Sequence, residues 1–351
     1  MKRVLIIKTS SLGDIVHTLP AINDASLAIP DIKFDWIIEE NFSEIPTLND
    51  QIDQIIPVSI RKWRKNLLKF RTSKDFSELK RKLSLHHYDA IIDAQGLLKS
   101  AWLASKAVGN RYGFDWASAR EPLASIFYHR RINVPKDIHA VERIRILFSK
   151  SLGYVLNSSE GNFNLTYDQG NDKYVILMHG TTWFSKHWPE ESWIKLSCLL
   201  SKSDYKVVLL WGNDQEKARA ERIAKNSEAN VLPKMKLTDI VSLIAKATGC
   251  ISVDTGLGHL SSAMGKPTLG IYGPTNPVLT GLYGSRRQNF LSDFPCLCMS
   301  KKCPFSLRED RSCRGFEELT ADIIYDKFIK LVGDEGVSNG FEYPKNKEKD
   351  K

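Results

Sequence analysis

The first candidate for chemistry in this sequence is a carboxylate that follows an apolar run. Residues 4–7 (VLII) predict a short buried strand, and residues 8–14 (KTSSLGD) connect it to a helical pattern. Asp14, at this strand-to-helix corner, can act as a general base at the mouth of a cleft. It can also simply accept hydrogen bonds from backbone N–H groups at the helix N-terminus. The connection matches neither G-x-G-x-x-G nor a Walker loop, so hydride transfer and P-loop phosphoryl transfer lose their main sequence support.

A second loop with chemical potential lies in the other half of the chain. Residues 254–259 (DTGLGH) follow an apolar run and open a helix. Gly256 and Gly258 would let a ligand approach the backbone closely, and the free N–H groups of a helix N-terminus suit a phosphate. The other interpretation is a capped helix with His259 in the core.

Two more loops also follow apolar runs, at residues 179–189 (HGTTWFSKHWP) and 272–277 (YGPTNP). The first brings the hydroxyls of Thr181 and Thr182 and the ammonium of Lys186 to one end of the predicted sheet, where they would complement a diphosphate. Proline and glycine alone would explain the second as a turn. Three such loops in one half of the chain together favour an anion-binding site.

The elements that must position these loops alternate between short apolar strands and helices, which predicts parallel βαβ units. A polar stretch at residues 160–172 interrupts the alternation and is the best candidate linker. We therefore predict an α/β fold with two Rossmann-like domains, at residues 1–165 and 172–332, and a flexible tail at 333–351. A cleft between the domains would hold ligands at the carboxyl ends of the strands.

The positive charge of the chain is concentrated in one segment. The formal net charge is +9, and residues 61–82 contain ten basic side chains against two acidic ones, which accounts for +8 of it. A solvated helical face is the simplest explanation. Nucleic acid, an anionic lipid or a small polyanion is the alternative partner. No apolar run approaches the roughly 20 residues that span a bilayer, and the run at residues 4–7 is too short for a signal sequence, so we expect a cytoplasmic protein.

Four of the six cysteines, Cys296, Cys298, Cys303 and Cys313, lie close together in the sequence. Their spacing differs from the paired C-x2-4-C pattern of zinc ribbons, although four nearby thiols could still bind a metal tetrahedrally. A reducing cytosol argues against structural disulfides. Packing, a zinc site and redox chemistry stay open for this cluster, and we assign neither a metal ligand nor a cofactor.

Taken together and in this order, the loops resemble those of the bacterial heptosyltransferases of lipopolysaccharide inner-core synthesis. The resemblance covers roughly residues 1–280 and rests on KTSSLGDIVHTLPA, FDWIIEE, IRKWRK, YDAIIDAQGLLKSA, AREPLAS, HAVER, KHWPEESW, VLPKM, SVDTGLGHL and YGPTNP. DTGLGH and YGPTNP are typical of the wider family. The combination of KTSSLGD, IRKWRK and KHWPEE is specific to the members that add the first heptose. The cysteine cluster is instead more similar to the members that add the second heptose.

The resemblance implies the GT-B glycosyltransferase fold, in which two Rossmann-like domains face a central cleft. The acceptor would bind the N-terminal domain and the nucleotide-sugar the C-terminal one. It further implies an inverting enzyme that needs no metal, takes ADP-L-glycero-β-D-manno-heptose as donor and Kdo2-lipid A as acceptor.

The family's functional residues correspond to named positions in this sequence. Asp14 matches the general base, which would deprotonate the Kdo hydroxyl. Lys186 would bind the donor phosphates, Glu216 the ribose and Met235 the adenine. The full set of donor-binding positions is Thr181, Thr182, Lys186, Glu216, Met235, Asp254, Thr255, Gly256 and His259. The acceptor-binding positions are Ser10, Ser11, Gly13, Arg61, Lys62, Arg64, Lys65, Arg120 and Arg143.

This acceptor would account for the basic segment, because Kdo2-lipid A carries carboxylates and phosphates in the inner leaflet. The resemblance therefore implies a peripheral enzyme on the cytoplasmic face of the inner membrane, with no nucleic-acid partner. One alternative is an enzyme that acts one step later, or another ADP-heptose transferase of the same family. The other is a non-catalytic nucleic-acid-binding protein, which the lack of a stacking-strand motif or zinc-finger spacing disfavours.

Overall fold

The computed structural model describes residues 2–63, 74–291, 314–316 and 318–333. The chain divides into two compact units, Met1–Thr166 and Tyr167–Lys351. Each unit contains one six-stranded sheet, and every strand pair in the two sheets is parallel. The predicted α/β class with two parallel-sheet domains is therefore confirmed.

The first unit has the strand order β3-β2-β1-β4-β5-β6. Its strands are β1 (Arg3–Ile7), β2 (Lys33–Glu39), β3 (Ile52–Val58), β4 (His87–Asp93), β5 (Val108–Phe114) and β6 (Arg130–Ile132). Its helices are α1 (Leu12–Val16), α2 (Leu19–Ala28), α3 (Ile60–Trp63), α4 (Lys74–Ser84), α5 (Leu98–Ala104) and α6 (Ala140–Leu152). Short 3-10 helices cover Glu40–Phe42, Pro46–Leu48 and Pro122–Phe127.

The second unit repeats this arrangement with the order β12-β11-β10-β7-β8-β9. Its strands are β7 (Asp172–Met178), β8 (Lys206–Leu209), β9 (Asn230–Val231), β10 (Ala247–Val253), β11 (Thr268–Tyr272) and β12 (Arg287–Leu291). Its helices are α7 (Glu190–Lys202), α8 (Asp214–Lys225), α9 (Leu237–Lys246), α10 (Gly256–Ala263), α11 (Pro277–Thr280) and α12 (Ala321–Gly333). Phe184–Lys186 and Arg314–Phe316 form 3-10 turns.

The central strands are buried almost completely, which explains their continuous apolar runs. Four of the five residues of β1 are buried, as are all five residues of β11. Parallel strands whose two faces are covered by helices need apolar side chains on both faces, so their sequences do not alternate.

Both sheets reverse their strand order once, which creates the usual ligand-binding point of doubly wound folds. In the first unit β1 pairs with both β2 and β4. In the second unit β7 pairs with both β8 and β10. At such a point the loops after the two central strands diverge to opposite faces and leave a crevice at their carboxyl ends. The candidate loops after β1, β7 and β10 lie at these two crevices.

Some boundaries differ from the sequence prediction for local reasons. The helical pattern predicted after residues 8–14 is divided into α1 and α2, and Pro20 lies in the first turn of α2. Proline lacks the N–H that an uninterrupted helix would need, so a new helix starts there. The stretch VGNRYGF has no apolar run and was not predicted as a strand, yet it pairs with β4 and β6 as β5.

Several predicted residues lie outside the described part of the chain. They are Arg64, Lys65, the cysteines Cys296, Cys298, Cys303 and Cys313, and the predicted tail from residue 334 onwards. Arg61 and Lys62 lie on α3, but their side chains are not described. Among the described residues, no helix has the length and apolar character that crossing a membrane requires.

Candidate active site

The carboxylate of Asp14 lies at the crevice of the first sheet. The loop that leaves β1 ends at Ser11, and Asp14 is the third residue of α1. Its Oδ2 atom accepts hydrogen bonds from the backbone N–H and the hydroxyl of Ser11, both at 2.9 Å. Asp14 therefore does cap its helix, as one of the two sequence interpretations expects. Its side chain also stays 34% exposed, so the carboxylate is accessible to a substrate hydroxyl.

A buried lysine faces this carboxylate. The Nζ atom of Lys8 lies 3.4 Å from Oδ1 of Asp14 and donates to the carbonyl of Ala94 at 3.0 Å. Burial favours the neutral acid. The charge of Lys8 and the hydrogen bonds from Ser11 outweigh that effect and hold the pKa of Asp14 below its ordinary value. Asp14 is therefore ionised at neutral pH, which is the state that a general base requires.

Three other predicted acceptor positions lie within this loop or directly after it. Ser10 and Ser11 lie within it, and Gly13 is a buried residue of α1. Arg120 is exposed, and its charge helps to lower the pKa of Asp14. Its guanidinium therefore lies near enough to the carboxylate for the two charges to interact.

The guanidinium of Arg143 is bound by two backbone carbonyls. Its Nε atom donates to the carbonyl of Pro135 at 2.9 Å, and an Nη atom donates to the carbonyl of Ser118 at 2.7 Å. The guanidinium also lies 5.0 Å from the ring centroid of Phe114. These contacts give Arg143 a structural part in shaping the loop after β5, besides any contact with an acceptor.

The second group of predicted residues meets at the crevice of the second sheet. Lys186 Nζ lies 2.6 Å from Oδ2 of Asp254, and Nε2 of His259 lies 3.5 Å from Oδ1 of the same carboxylate. The hydroxyl of Thr181 donates to the Asp254 carbonyl at 3.2 Å. The loops after β7 and β10 therefore converge on Asp254, which the sequence alone did not show.

These contacts keep Asp254 ionised although it is largely buried. Burial raises the pKa of a carboxyl, but the hydrogen bond from His259 and the charge of Lys186 lower the pKa of Asp254 far below its ordinary value. Lys186 also lies over the ring of Trp183, with Nζ 4.6 Å from the centroid. Asp254 and Trp183 thus hold the ammonium of Lys186 close to the N-terminus of α10. An anion bound there would be attracted by both the ammonium and the helix N-terminus.

Helix α10 presents its N-terminus at the same crevice. Thr255 occupies the N-cap position and Gly256 is the first helical residue, so the free N–H groups of this eight-residue helix start here. Gly258 has a different role from the one that the sequence suggested. A Cβ atom there would lie 2.4 Å from Oγ of Ser252, so this glycine allows α10 to pack against β10. His259 is buried, as the alternative interpretation proposed, and still contacts Asp254.

Glu216 lies between the carboxyl ends of β7 and β8. Its Oε2 atom accepts from the N–H of Gly212 at 2.7 Å, and a Cβ atom on Gly180 would come within 2.8 Å of its Cδ. A carboxylate after the second strand of a Rossmann unit commonly binds ribose hydroxyls, so this position suits the predicted role. Met235 is half-buried in the loop between β9 and α9, and Thr182 is exposed in the loop after β7.

Sequence reasoning missed three residues that hold these loops. They are Gln95 after β4, His187 beside Lys186, and Arg219 on α8. Gln95 and His187 belong to the segments YDAIIDAQGLLKSA and KHWPEESW, so a motif marked both positions without indicating a role. Arg219 lies in no such motif, and no sequence pattern indicates its contact with His187, which is 32 residues away along the chain.

No metal site can be built from the residues that the structure describes. In the described ranges, no three His, Cys, Asp or Glu side chains are grouped as metal ligands.

Comparison with known proteins relates both units to one family. The model of glycosyltransferase family 9 (heptosyltransferase) matches residues 76–307. Lipopolysaccharide heptosyltransferase 1 of Pseudomonas aeruginosa is 47% identical over 317 residues, which covers 88% of this chain and 89% of that protein. The protein of the same name from Escherichia coli K12 is 46% identical over 295 residues, which covers 81% of this chain and 92% of that protein.

The solved structures include a similar protein with bound ligands. The structure of E. coli heptosyltransferase WaaC with ADP has a TM-score of 0.80 and 41% sequence identity, and covers 94% of this chain and 99% of that one. WaaC with ADP-2-deoxy-2-fluoro heptose has a TM-score of 0.76 and 41% identity, and covers 93% and 99%.

Proposed function

This chain belongs to glycosyltransferase family 9, the heptosyltransferase family, and is an enzyme of lipopolysaccharide synthesis; we propose that it transfers the first heptose of the inner core. The donor would be ADP-L-glycero-β-D-manno-heptose and the acceptor the Kdo of Kdo2-lipid A. The observation that carries this proposal is the 47% identity to a lipopolysaccharide heptosyltransferase 1 over 88% of the chain, which includes both units.

The donor would bind at the carboxyl ends of β7, β8 and β10. WaaC, which is 41% identical, binds ADP and an ADP-heptose analogue. In this chain Lys186 and the N-terminus of α10 would offset the negative charge of the diphosphate. Thr181, Thr182 and Thr255 would donate hydrogen bonds. Glu216 would accept from the ribose hydroxyls, and Met235 would contact the adenine.

Within the second unit, the sugar would lie near the ion pair of Asp254 with Lys186. Gly256 and His259 complete the predicted contacts around the diphosphate and heptose. Because Lys186 is fixed by Asp254 at 2.6 Å, it reaches the charge that develops on departing ADP without reorganising.

The proposed chemistry is one displacement with inversion at the anomeric carbon. The Kdo hydroxyl oxygen forms a bond to the anomeric carbon while the bond from that carbon to the ADP phosphate oxygen breaks. The electron pair of the broken bond leaves with ADP, and the hydroxyl proton passes to Asp14. Its low pKa keeps Asp14 ionised, so it is ready to accept this proton as the oxygen becomes acidic in the transition state.

The acceptor would be bound through its negative charges. Arg61, Lys62, Arg64, Lys65, Arg120 and Arg143 are the proposed contacts to its carboxylates and phosphates, with Ser10, Ser11 and Gly13 near the reacting hydroxyl. A lipid acceptor in the inner leaflet would place the enzyme peripherally on the cytoplasmic face of the inner membrane. Nucleic acid is not a proposed partner, and no cofactor or metal is required by this scheme.

Turnover with purified substrates tests the proposal. We expect ADP-heptose to be consumed in the presence of Kdo2-lipid A, in buffer that contains EDTA, with one heptose added per acceptor. In competition, Kdo2-lipid A should be used in preference to heptosyl-Kdo2-lipid A. Preference for the heptosylated acceptor would instead identify the enzyme of the next step. Loss of activity in EDTA that added metal restores would refute the metal-free scheme.

A further inference from the structure

The segment that follows β4 has no role in the mechanism above, although it belongs to one of the segments that mark the family. Its central residue, Gln95, is only 6% exposed. The Gln95 side chain makes three hydrogen bonds, all to backbone atoms of the loop that leads to Asp14. Oε1 accepts from the N–H groups of Thr9 at 3.0 Å and Ser10 at 3.3 Å, and Nε2 donates to the carbonyl of Ser10 at 2.7 Å.

These contacts determine which way the amide of Gln95 points. One end of the amide faces two N–H donors and the other faces a carbonyl. The reverse orientation would oppose donor to donor and acceptor to acceptor, so only one orientation satisfies all three groups. Gln95 thus binds both the N–H and the carbonyl of Ser10 and holds that backbone in a single position.

The loop held by Gln95 carries the proposed base. Ser11 follows directly, and its N–H and hydroxyl both donate to Oδ2 of Asp14 at 2.9 Å. On the other side of the same loop, Lys8 is tied to the carbonyl of Ala94. The position of the Asp14 carboxylate therefore depends on backbone atoms that the segment after β4 fixes.

The backbone of Gln95 is itself held by the buried carboxylate of Asp93. Oδ1 of Asp93 accepts from the N–H groups of Gln95 at 2.9 Å and Gly96 at 3.2 Å. Oδ2 of Asp93 contacts the hydroxyls of Ser100 at 2.8 Å and Tyr128 at 2.6 Å. With four partners and no exposure, Asp93 links Ser100 of α5 and Tyr128, which follows the 3-10 helix Pro122–Phe127, to the start of this segment.

We propose that Gln95 is a positioning residue for catalysis, which fixes the Thr9–Ser10 backbone and thereby the carboxylate of Asp14, with Asp93 as its support. The inference rests on the proposed function, in which Asp14 takes the proton of the acceptor hydroxyl. A base must lie within hydrogen-bond reach of its proton, and a displacement of about 1 Å can cost about a hundredfold in rate. Gln95 acts through the loop and makes no proposed contact with either substrate.

Gln95→Glu tests this role because it replaces a donor with a group that donates only when protonated. As the neutral acid, the new side chain keeps one oxygen for the two N–H groups and donates its proton to the Ser10 carbonyl. As the carboxylate, it places a second negative oxygen against that carbonyl and pushes the loop away. The pKa of glutamic acid is ordinarily about 4.3; burial and the opposed Ser10 carbonyl raise it, while the N–H groups of Thr9 and Ser10 lower it, and we expect the net change to fall within the working pH range.

The experiment measures kcat, the KM for the acceptor and the affinity for ADP between about pH 5 and 8, for the parent, Gln95→Glu and Gln95→Met. We expect kcat of Gln95→Glu to fall by about tenfold or more as pH rises, where the parent does not fall. Gln95→Met should be about 10- to 100-fold slower at every pH, since it lacks all three hydrogen bonds. ADP affinity should equal that of the parent in both variants, because the ADP-binding residues belong to the other unit.

A matched control is Gln54→Glu on strand β3, which adds the same charge to the same unit outside this loop. Parent-like kcat in Gln95→Met, or parent-like kcat at every pH in Gln95→Glu, would overturn the proposal. The proposal would also be overturned if the rising limb of the kcat profile of Gln95→Glu shifted to higher pH with no loss of kcat above it. Such a shift indicates that the new charge raises the pKa of Asp14 without displacing its carboxylate.

Hydrogen exchange separates failure of this inference from failure of the proposed function. The amides of Thr9 and Ser10 should exchange faster in Gln95→Met than in the parent, while amides of β7 and β10 keep the parent rate. This measurement needs no substrate. If the parent itself does not use Kdo2-lipid A but these two amides lose protection, the function is wrong and the positioning contact stands. Unchanged exchange at Thr9 and Ser10 would refute the contact itself.

Discussion

An Nη atom of Arg219 lies 3.0 Å from Nδ1 of His187, and this contact determines the protonation of the imidazole. A guanidinium only donates, so Nδ1 must accept and the ring proton must reside on Nε2. Nε2 lies 2.9 Å from the carbonyl of Thr181, to which it donates. Burial, supported by the charge of Arg219, lowers the pKa of His187 although the bond to Thr181 opposes it. A neutral His187 thus holds the loop after β7, which carries Lys186.

Replacing His187 should therefore weaken donor binding. His187→Phe keeps a ring that can stack on Phe184, whose centroid lies 5.6 Å away, but removes both hydrogen bonds. We expect the affinity for ADP, measured by calorimetry, to fall by about fivefold to tenfold, which corresponds to roughly one hydrogen bond. His87→Phe, at an exposed site in the other unit, is the control. In the parent, nitrogen NMR should report the Nε2–H form of His187 at pH 7, and a protonated ring would contradict the assignment.

Removal of the Asp14 carboxylate should abolish most turnover and leave the fold intact. Asp14→Asn should lower kcat by about 10²- to 10⁴-fold, the usual contribution of a positioned base. The amide oxygen can still accept from the Ser11 N–H at the helix N-terminus, so Tm should change little. Asp137→Asn, at an exposed carboxylate, should behave like the parent. Near-normal turnover of Asp14→Asn would leave this residue with only its capping role.

Loss of the Lys186 ammonium should affect both donor binding and the departure of ADP. Lys186→Ala should bind ADP about tenfold or more weakly and should also lower kcat, because the charge that develops on the leaving group loses its cation. Lys173→Ala removes an exposed lysine of the same unit, paired with Asp204 at the surface, and should leave both constants unchanged. Calorimetry and initial rates measure the two effects. Parent values for both in Lys186→Ala would reject the role.

The second unit should lose stability as the solution becomes acidic. His179 is fully buried after β7, and burial above all lowers the pKa of His179 to about 4, with a contribution from the charge of Arg219. The unfolded chain, with a histidine pKa near 6.5, binds the proton first as pH falls. The free energy of unfolding should therefore decrease from about pH 6.5 to 4, by roughly 3 kcal/mol for this group alone, and then level off.

Urea unfolding across that pH range measures this decrease. His179→Asn removes the titrating group and should flatten the slope between about pH 6.5 and 4. His87→Asn, at an exposed histidine, should keep the slope of the parent. An equal slope in His179→Asn and the parent would show that another group is responsible.

Variants of the basic segment, residues 61–82, distinguish an acceptor site from a solvated surface. The double variant Arg61→Ala with Lys62→Ala should raise the KM for Kdo2-lipid A and leave ADP affinity nearly unchanged. The effect should grow at low salt, because salt screens the attraction in the parent. Lys202→Ala with Lys206→Ala removes equal charge from exposed positions outside the basic segment and is the matched control. A solvated face predicts no change in KM. Loss of DNA binding with intact acceptor kinetics would instead indicate a nucleic-acid site.

Secondary structure with a strong local signal was predictable from the sequence. Helix α9 (Leu237–Lys246) has the apolar spacing of an amphipathic helix, and strand β11 (Thr268–Tyr272) is a short, largely apolar run that leads into YGPTNP. In α9 the buried residues recur with the period of a helix, and in β11 all five residues are buried in a continuous run, so a short window of sequence contains the information in both cases. Strands β5 and β6 lack an apolar run, and their hydrogen bonds depend on pairing β5 with β4 and β6 with β5, which no local pattern shows.

For the candidate site, the sequence by itself determined which residues end up at the strand ends. Each candidate loop follows a buried strand, and parallel strands place all their carboxyl ends on one edge of a sheet. The tertiary structure alone decided the pairings: Lys186 with Asp254, His187 with Arg219, and Gln95 with the backbone of Ser10. These partners are separated by tens of residues, so their distances depend on how β1 pairs with β4 and how β7 pairs with β8 and β10. A hydrogen bond acts over about 3 Å in space, and no spacing within the sequence encodes that distance.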